Sequence, residues 1–149
     1  MVVLKNTQGI LEDKKLYGIT PKINIDETYM SSALNSSLCR FFMDLSCRQL
    51  TGAQAIADVD VAVVDNILIP DHKLFPANSL DLAYSPFSKR EMKSKIADEY
   101  TMSDRRNLDD IFFDALNLTS GEREAIYEAI IDLVQARLNK ASNTSANSI

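Results

Sequence analysis

Residues 25–48, IDETYMSSALNSSLCRFFMDLSCR, constrain this chain more than any other stretch. Met30, Ala33, Leu34, Leu38, Phe41, Phe42 and Leu45 recur there at three- and four-residue spacing. That period puts them on one stripe of a single long helix, which must bury the stripe against another layer. Asp26 carries the acceptor an N-cap needs, and Glu27 adds negative charge to the first turn. The middle reads Leu34-Asn35-Ser36-Ser37. Asn and Ser compete with the helical backbone for hydrogen bonds, so something other than helix propensity selects them here.

The chain has 149 residues, 46% of them hydrophobic and 25% charged, which suits one packed domain. No apolar run reaches the roughly 18 residues that span a bilayer, and the Met-Val-Val-Leu-Lys start is too short for a secretory core, so no membrane partner is expected. Cys39 and Cys47 would lie about two helical turns apart, roughly 12 Å, too far for a disulfide. Two free thiols point to a reducing, cytoplasmic setting. A lone His72 has no partners at ligand spacing, so no metal is expected.

The net charge of −5 argues against a self-sufficient nucleic-acid binder, which would show a basic footprint. Residues 1–50 carry six basic against five acidic side chains, and residues 51–149 ten against sixteen. Any basic contact surface is therefore expected in the first third.

Residues 2–19 read as two or three short, mostly antiparallel strands, with Lys14 and Lys15 near a turn, either solvated or touching phosphate. In residues 56–64, Val59, Val61 and Val63 alternate with Asp58, Asp60 and Ala62, a period-two strand signature. Ile67-Leu68-Ile69 is a second short β run, ended by Pro70. Residues 71–88 read as a connection with one helical turn near 80–84. Residues 89–99 read as a charged helix with Met92 and Ile96 on one face. Its Lys89, Arg90, Lys93 and Lys95 make a solvated face or one that follows phosphates. Ser103 is placed to cap a helix with Leu108, Ile111, Phe112, Ala115 and Leu116 on its stripe. Thr119 and Glu122 form a capping box that opens a last helix to about Lys140. The short joint between these two predicts an antiparallel hairpin.

The expected architecture is α+β: a small, mostly antiparallel sheet packed on the long helix (residues 1–70), a linker with a short helix (71–103), a C-terminal antiparallel helical hairpin (104–141) and a disordered polar tail (142–149). The chain has only four glycines and no Gly-rich phosphate loop, and its single histidine cannot serve a Ser-His-Asp set. Asp109 and Asp110 are adjacent in sequence, so they point to different helix faces and form no carboxylate dyad. No catalytic, cofactor-binding or metal-binding residue is expected.

Four stretches, DKKLYGITPK (13–22), LNSSLCRFFMDLSCR (34–48), VDNILIPD (64–71) and the run 104–140 beginning DRRNLDDIFFDAL, resemble in this order the C-terminal region of prokaryotic adenine-specific DNA methyltransferases of restriction–modification systems. The resemblance implies a non-catalytic DNA-recognition or DNA-positioning region. The parent enzyme would use S-adenosylmethionine and flip its target base. The chain departs from that enzyme in lacking a cofactor loop, and Tyr84-Ser85-Pro86-Phe87 has one proline where the catalytic tetrapeptide has two. The implied partners are DNA, the enzyme's own catalytic domain and a second copy in a homo-oligomer. Lys14, Lys15, Arg40 and Arg48 are the DNA-contact candidates, with Arg40 and Arg48 alternatively pairing with acids such as Asp44. Asn35 is the structural candidate, bridging to a neighbouring backbone through its amide. The alternative reading is an interaction module that never touches DNA.

Overall fold

A computed structural model describes residues 3, 5–6, 9, 18–20, 25–49, 57–76 and 78–146. Seven α-helices make up most of it: α1 (Glu27–Asn35), α2 (Ser37–Ser46), α3 (Val61–Asp65), α4 (Ser79–Ser88), α5 (Ile96–Glu99), α6 (Ser103–Ala115) and α7 (Ser120–Ala146). The α+β expectation fails. The extended pairing among the described residues is one antiparallel ladder of two residues a side, Arg48 opposite Asp58 and Gln49 opposite Ala57. That is too little to form a layer on which a helix could pack.

The strand expected in residues 56–64 keeps extended geometry only at Ala57–Asp58 and then turns helical. Asp60 Oδ1 accepts from Val63 N at 2.9 Å, and this cap outweighs the β preference of three valines over so short a run. Residues 67–70 have no ladder partner among the described residues. Of the strands expected in residues 2–19, the greater part lies outside the described residues, as do residues 50–56.

The long helix is interrupted. Ser36, at φ −65° and ψ 152°, is extended, and it ends α1 and starts α2 at once. Its Oγ donates to Ala33 O at 2.7 Å and accepts from Cys39 N at 3.2 Å, so one hydroxyl serves both termini. Asp26 caps the other end of α1, accepting from Thr28 N at 3.2 Å and Tyr29 N at 3.3 Å.

Helix α6 is the element the others gather round. Leu108 and Phe112 are fully buried with Tyr29, Ala33, Leu80 and Phe87, joining α6 to α1 and α4. Phe113 is fully buried with Leu38, Tyr100, Tyr127 and Ile130, joining it to α2 and α7. Helix α6 starts at Ser103 itself, preceded by Met102, so Ser103 does not cap it. The capping box of α7 does form: Thr119 N donates to Glu122 Oε2 at 2.8 Å, and Glu122 N to Thr119 Oγ1 at 3.4 Å.

The antiparallel hairpin needs correcting too. Side chains of α7 reach α6 from residues 123–127, where Arg123 meets Asp110 and Asp114, Arg106 meets Glu124, and Tyr127 meets Asp109. Further on, Arg137 pairs with Asp44, so α7 leaves α6 and lies along α2. The apolar side chains of α7 pack with Leu38, Phe41 and Phe42 of α2 as well as with Phe113 of α6. Helix α7 also continues to Ala146, through part of the tail expected to be disordered. Each added residue gains one helical hydrogen bond at no new nucleation cost. No helix among the described residues is long and apolar enough to cross a membrane.

Candidate functional site

The break at Ser36 exposes two sets of backbone groups in the middle of the protein. Helix α1 ends in carbonyls and α2 begins with N–H groups, and both are buried. Helix α6 supplies a partner to each from one face, four residues apart. Arg105 Nη1 donates to Asn35 O at the C-terminus of α1. Asp109 Oδ1 accepts from Ser37 N at 2.7 Å and its Oδ2 from Ser37 Oγ at 2.5 Å, at the N-terminus of α2. A cation thus meets the negative end of one helix dipole and an anion meets the positive end of the next. Tyr127 OH adds a third donor to Asp109, at 3.2 Å.

Burial pushes the Asp109 carboxyl up to about 6, against the pull of Arg105 and of the hydrogen bonds from Ser37 and Tyr127. Burial and the Asp109 charge likewise raise the Tyr127 phenol, keeping it a donor.

Asn35 faces the other way. Its Nδ2 donates to Ser31 O and to Val3 O, each at 2.8 Å, and Val3 N donates to its Oδ1 at 3.0 Å. The amide therefore pairs with a backbone residue as a strand neighbour would, and fixes Val3 to α1.

A second buried network lies at the far end of Arg105. Glu99, 1% exposed, receives Arg90 through both oxygens at 2.7 and 2.9 Å, Lys93 N at 3.0 Å and Arg105 Nε at 3.2 Å. Burial alone would raise the Glu99 carboxyl. The bonds from Arg90 and Lys93, with the charges of Arg105 and Arg90, outweigh it and leave the group below its usual range. Arg90 Nε also reaches Asp104 at 2.5 Å, and the Arg105 guanidinium lies 4.2 Å from the centre of the Phe87 ring. Phe87 is thus a core aromatic under a cation, not part of a base-holding loop.

Lys14 and Lys15 lie outside the described residues. Arg40 is held by Asp44 at 2.7 Å, and the buried Arg137 holds the other oxygen of Asp44 at 3.1 Å, so Arg40 is engaged within the protein. Arg48 lies beyond the end of α2, in the two-residue ladder, and does not share a helix side with Arg40. Residues 89–95 are not the expected helix, because α4 runs to Ser88 and the chain then follows the Glu99 network into α5. Lys89, Lys93 and Lys95 are exposed there, and among the described residues none has an acid within ion-pair distance. The open cleft between α6 and α7, lined by Arg106, Asp110, Arg123, Glu124 and Tyr127, has its charges paired with one another.

Sequence reasoning missed Arg105, Asp109 and Glu99 as the groups that organise the interior. The i, i+4 spacing of Arg105 and Asp109 on α6, opposite an Asn-Ser-Ser break, was the available signal. No family model, curated protein or solved structure matches the chain.

Proposed function

We propose that this chain acts as the non-catalytic DNA-positioning region of an S-adenosylmethionine-dependent adenine DNA methyltransferase of a restriction–modification system. One observation carries the reading. The two most specific stretches of the resemblance, Asn35-Ser36-Ser37 and the run containing Arg105 and Asp109, meet in space as the two halves of one buried joint. A mutual lock on helix termini gives these two stretches of the resemblance, with residues 70 apart in the chain, a shared structural role. The reading assigns this chain the work of holding a surface in place, while cofactor binding and methyl transfer belong to the catalytic domain it would accompany.

A second reading is favoured by a different feature. Leu68 and Leu82 are 72% and 79% exposed, and Leu74 is exposed as well. Such side chains suit a module that docks on a catalytic domain or on a second copy without touching DNA.

The test uses the full chain with a fluorescent DNA duplex and, separately, with S-adenosylmethionine in a calorimeter. The first reading expects duplex binding with a dissociation constant of about 10⁻⁴–10⁻⁶ M that weakens steeply with salt, and no heat from the cofactor. No duplex binding at low salt would leave the docking reading. Methyl transfer by the chain alone would refute both.

A further inference from the structure

We propose that the loop of residues 89–95 is the phosphate-contacting surface of this chain, with Lys89, Lys93 and Lys95 meeting the backbone of duplex DNA; the assignment rests on the DNA-positioning reading above. Two groups contrast among the described basic residues. Arg40, Arg90, Arg105, Arg106, Arg123 and Arg137 each have a carboxylate partner within the protein. The three lysines of the loop are exposed and have none among the described residues. Over residues 88–98 the exposed acids are Glu91 and Asp98 against the three exposed lysines, so the loop is basic in a chain of net charge −5.

The loop is also held still. Arg90 leaves it for the interior and clamps Glu99 with two bonds at 2.7 and 2.9 Å, while its Nη1 donates to Glu91 O at 3.0 Å. The Lys93 N–H is fixed to the same carboxylate at 3.0 Å. A buried ion pair is a weak device for stability, but it fixes geometry well. Here it holds a short surface loop whose lysines face outward, which lowers the ordering cost of binding.

Lysine suffices for this work, because a phosphate contact that carries no sequence information requires only a flexible point charge and not a planar fork. A lipid surface is the weaker match. Interfacial binding needs exposed apolar side chains beside the cations, yet Met92 packs inward on the core formed by Phe87 and Leu108, and Ser88 and Ser94 flank the lysines.

The experiment measures duplex binding by fluorescence anisotropy across a salt series, for the full chain and for its K89E/K93E/K95E variant. Three lost contacts at about 0.9 each should flatten the slope of log K against log salt by about 2–3. The lysine ammonium groups have no carboxylate partner among the described residues, so the variant should keep the parent's unfolding midpoint. The neutral K89Q/K93Q/K95Q set serves if charge reversal prevents folding, and the arginine set should retain binding. Duplex binding by the parent with an unchanged slope in the variant would overturn the loop assignment alone. No duplex binding by the parent would overturn the DNA-positioning reading with it. Binding to phosphatidylserine vesicles and not to duplex, lost in the variant, would replace DNA by a lipid surface and refute the proposal.

Discussion

Replacing Asp109 with asparagine separates the charge of this group from its shape. The carboxylate is fully buried and accepts three hydrogen bonds, and burial raises its pKa from 3.8 to about 6 in the folded protein. Between those values the folded state binds more protons than the unfolded state, so this group's contribution to stability is present at low pH and falls as pH rises through about 6. A shift of about two units corresponds to roughly 2–3 kcal/mol across that window. The substituted amide would keep an acceptor for the Ser37 N–H and carry no charge. The stability of D109N minus that of the parent should therefore rise by roughly 2–3 kcal/mol between about pH 4 and about pH 7. Urea unfolding at each pH measures it, with the slope m checked for constancy. The comparison cancels the opposite trend of Glu99, whose lowered pKa adds stability that is lost as pH falls. A difference independent of pH would refute the claim that Asp109 is charged and penalised inside the folded protein at neutral pH.

Arg105→Ala leaves Glu99 without one of its cations and Asn35 O without its donor, and should cost about 3–5 kcal/mol in urea unfolding. A loss below about 1 kcal/mol, the scale of a surface pair, would show that the joint is not a lock. Thr119→Ala removes half of the capping box of α7 and should cost about 1 kcal/mol, with no change in the pH dependence assigned to Asp109. Burial pushes the Cys39 thiol up to about 11 and raises that of Cys47 as well. Both should resist an aromatic disulfide reagent at neutral pH and react only after unfolding; rapid labelling of the native protein would contradict their burial.

Local rules were readable in the sequence wherever a short-range interaction decides the outcome. Asp26 caps α1 and Thr119 with Glu122 caps α7 because a cap needs only residues two or three apart. Ala33, Leu34 and Leu38, and Leu108 and Phe112, are buried because helical period fixes which side chains share a face, whereas Leu45 and Leu116 at the far ends of the two stripes are exposed. Asn35 was legible as an amide too polar for a purely apolar stripe, though its partner, Val3, was not.

What the tertiary structure decided lies at longer range. The period-two valines of residues 59–63 had no sheet to join among the described residues, so Asp60 turned the chain into α3. The helix over residues 25–48 breaks at Ser36 because Arg105 and Asp109, some 70 residues away, satisfy the termini the break exposes. Nothing within residues 25–48 announces those partners. The i,i+4 pairing of Arg40 with Asp44 was within reach of the sequence, but only the fold draws Arg90 inward to Glu99 and leaves Lys89, Lys93 and Lys95 facing solvent. A helix terminus or a buried charge takes its energy from whichever group is brought alongside, and that is set by packing, not by neighbours in the chain.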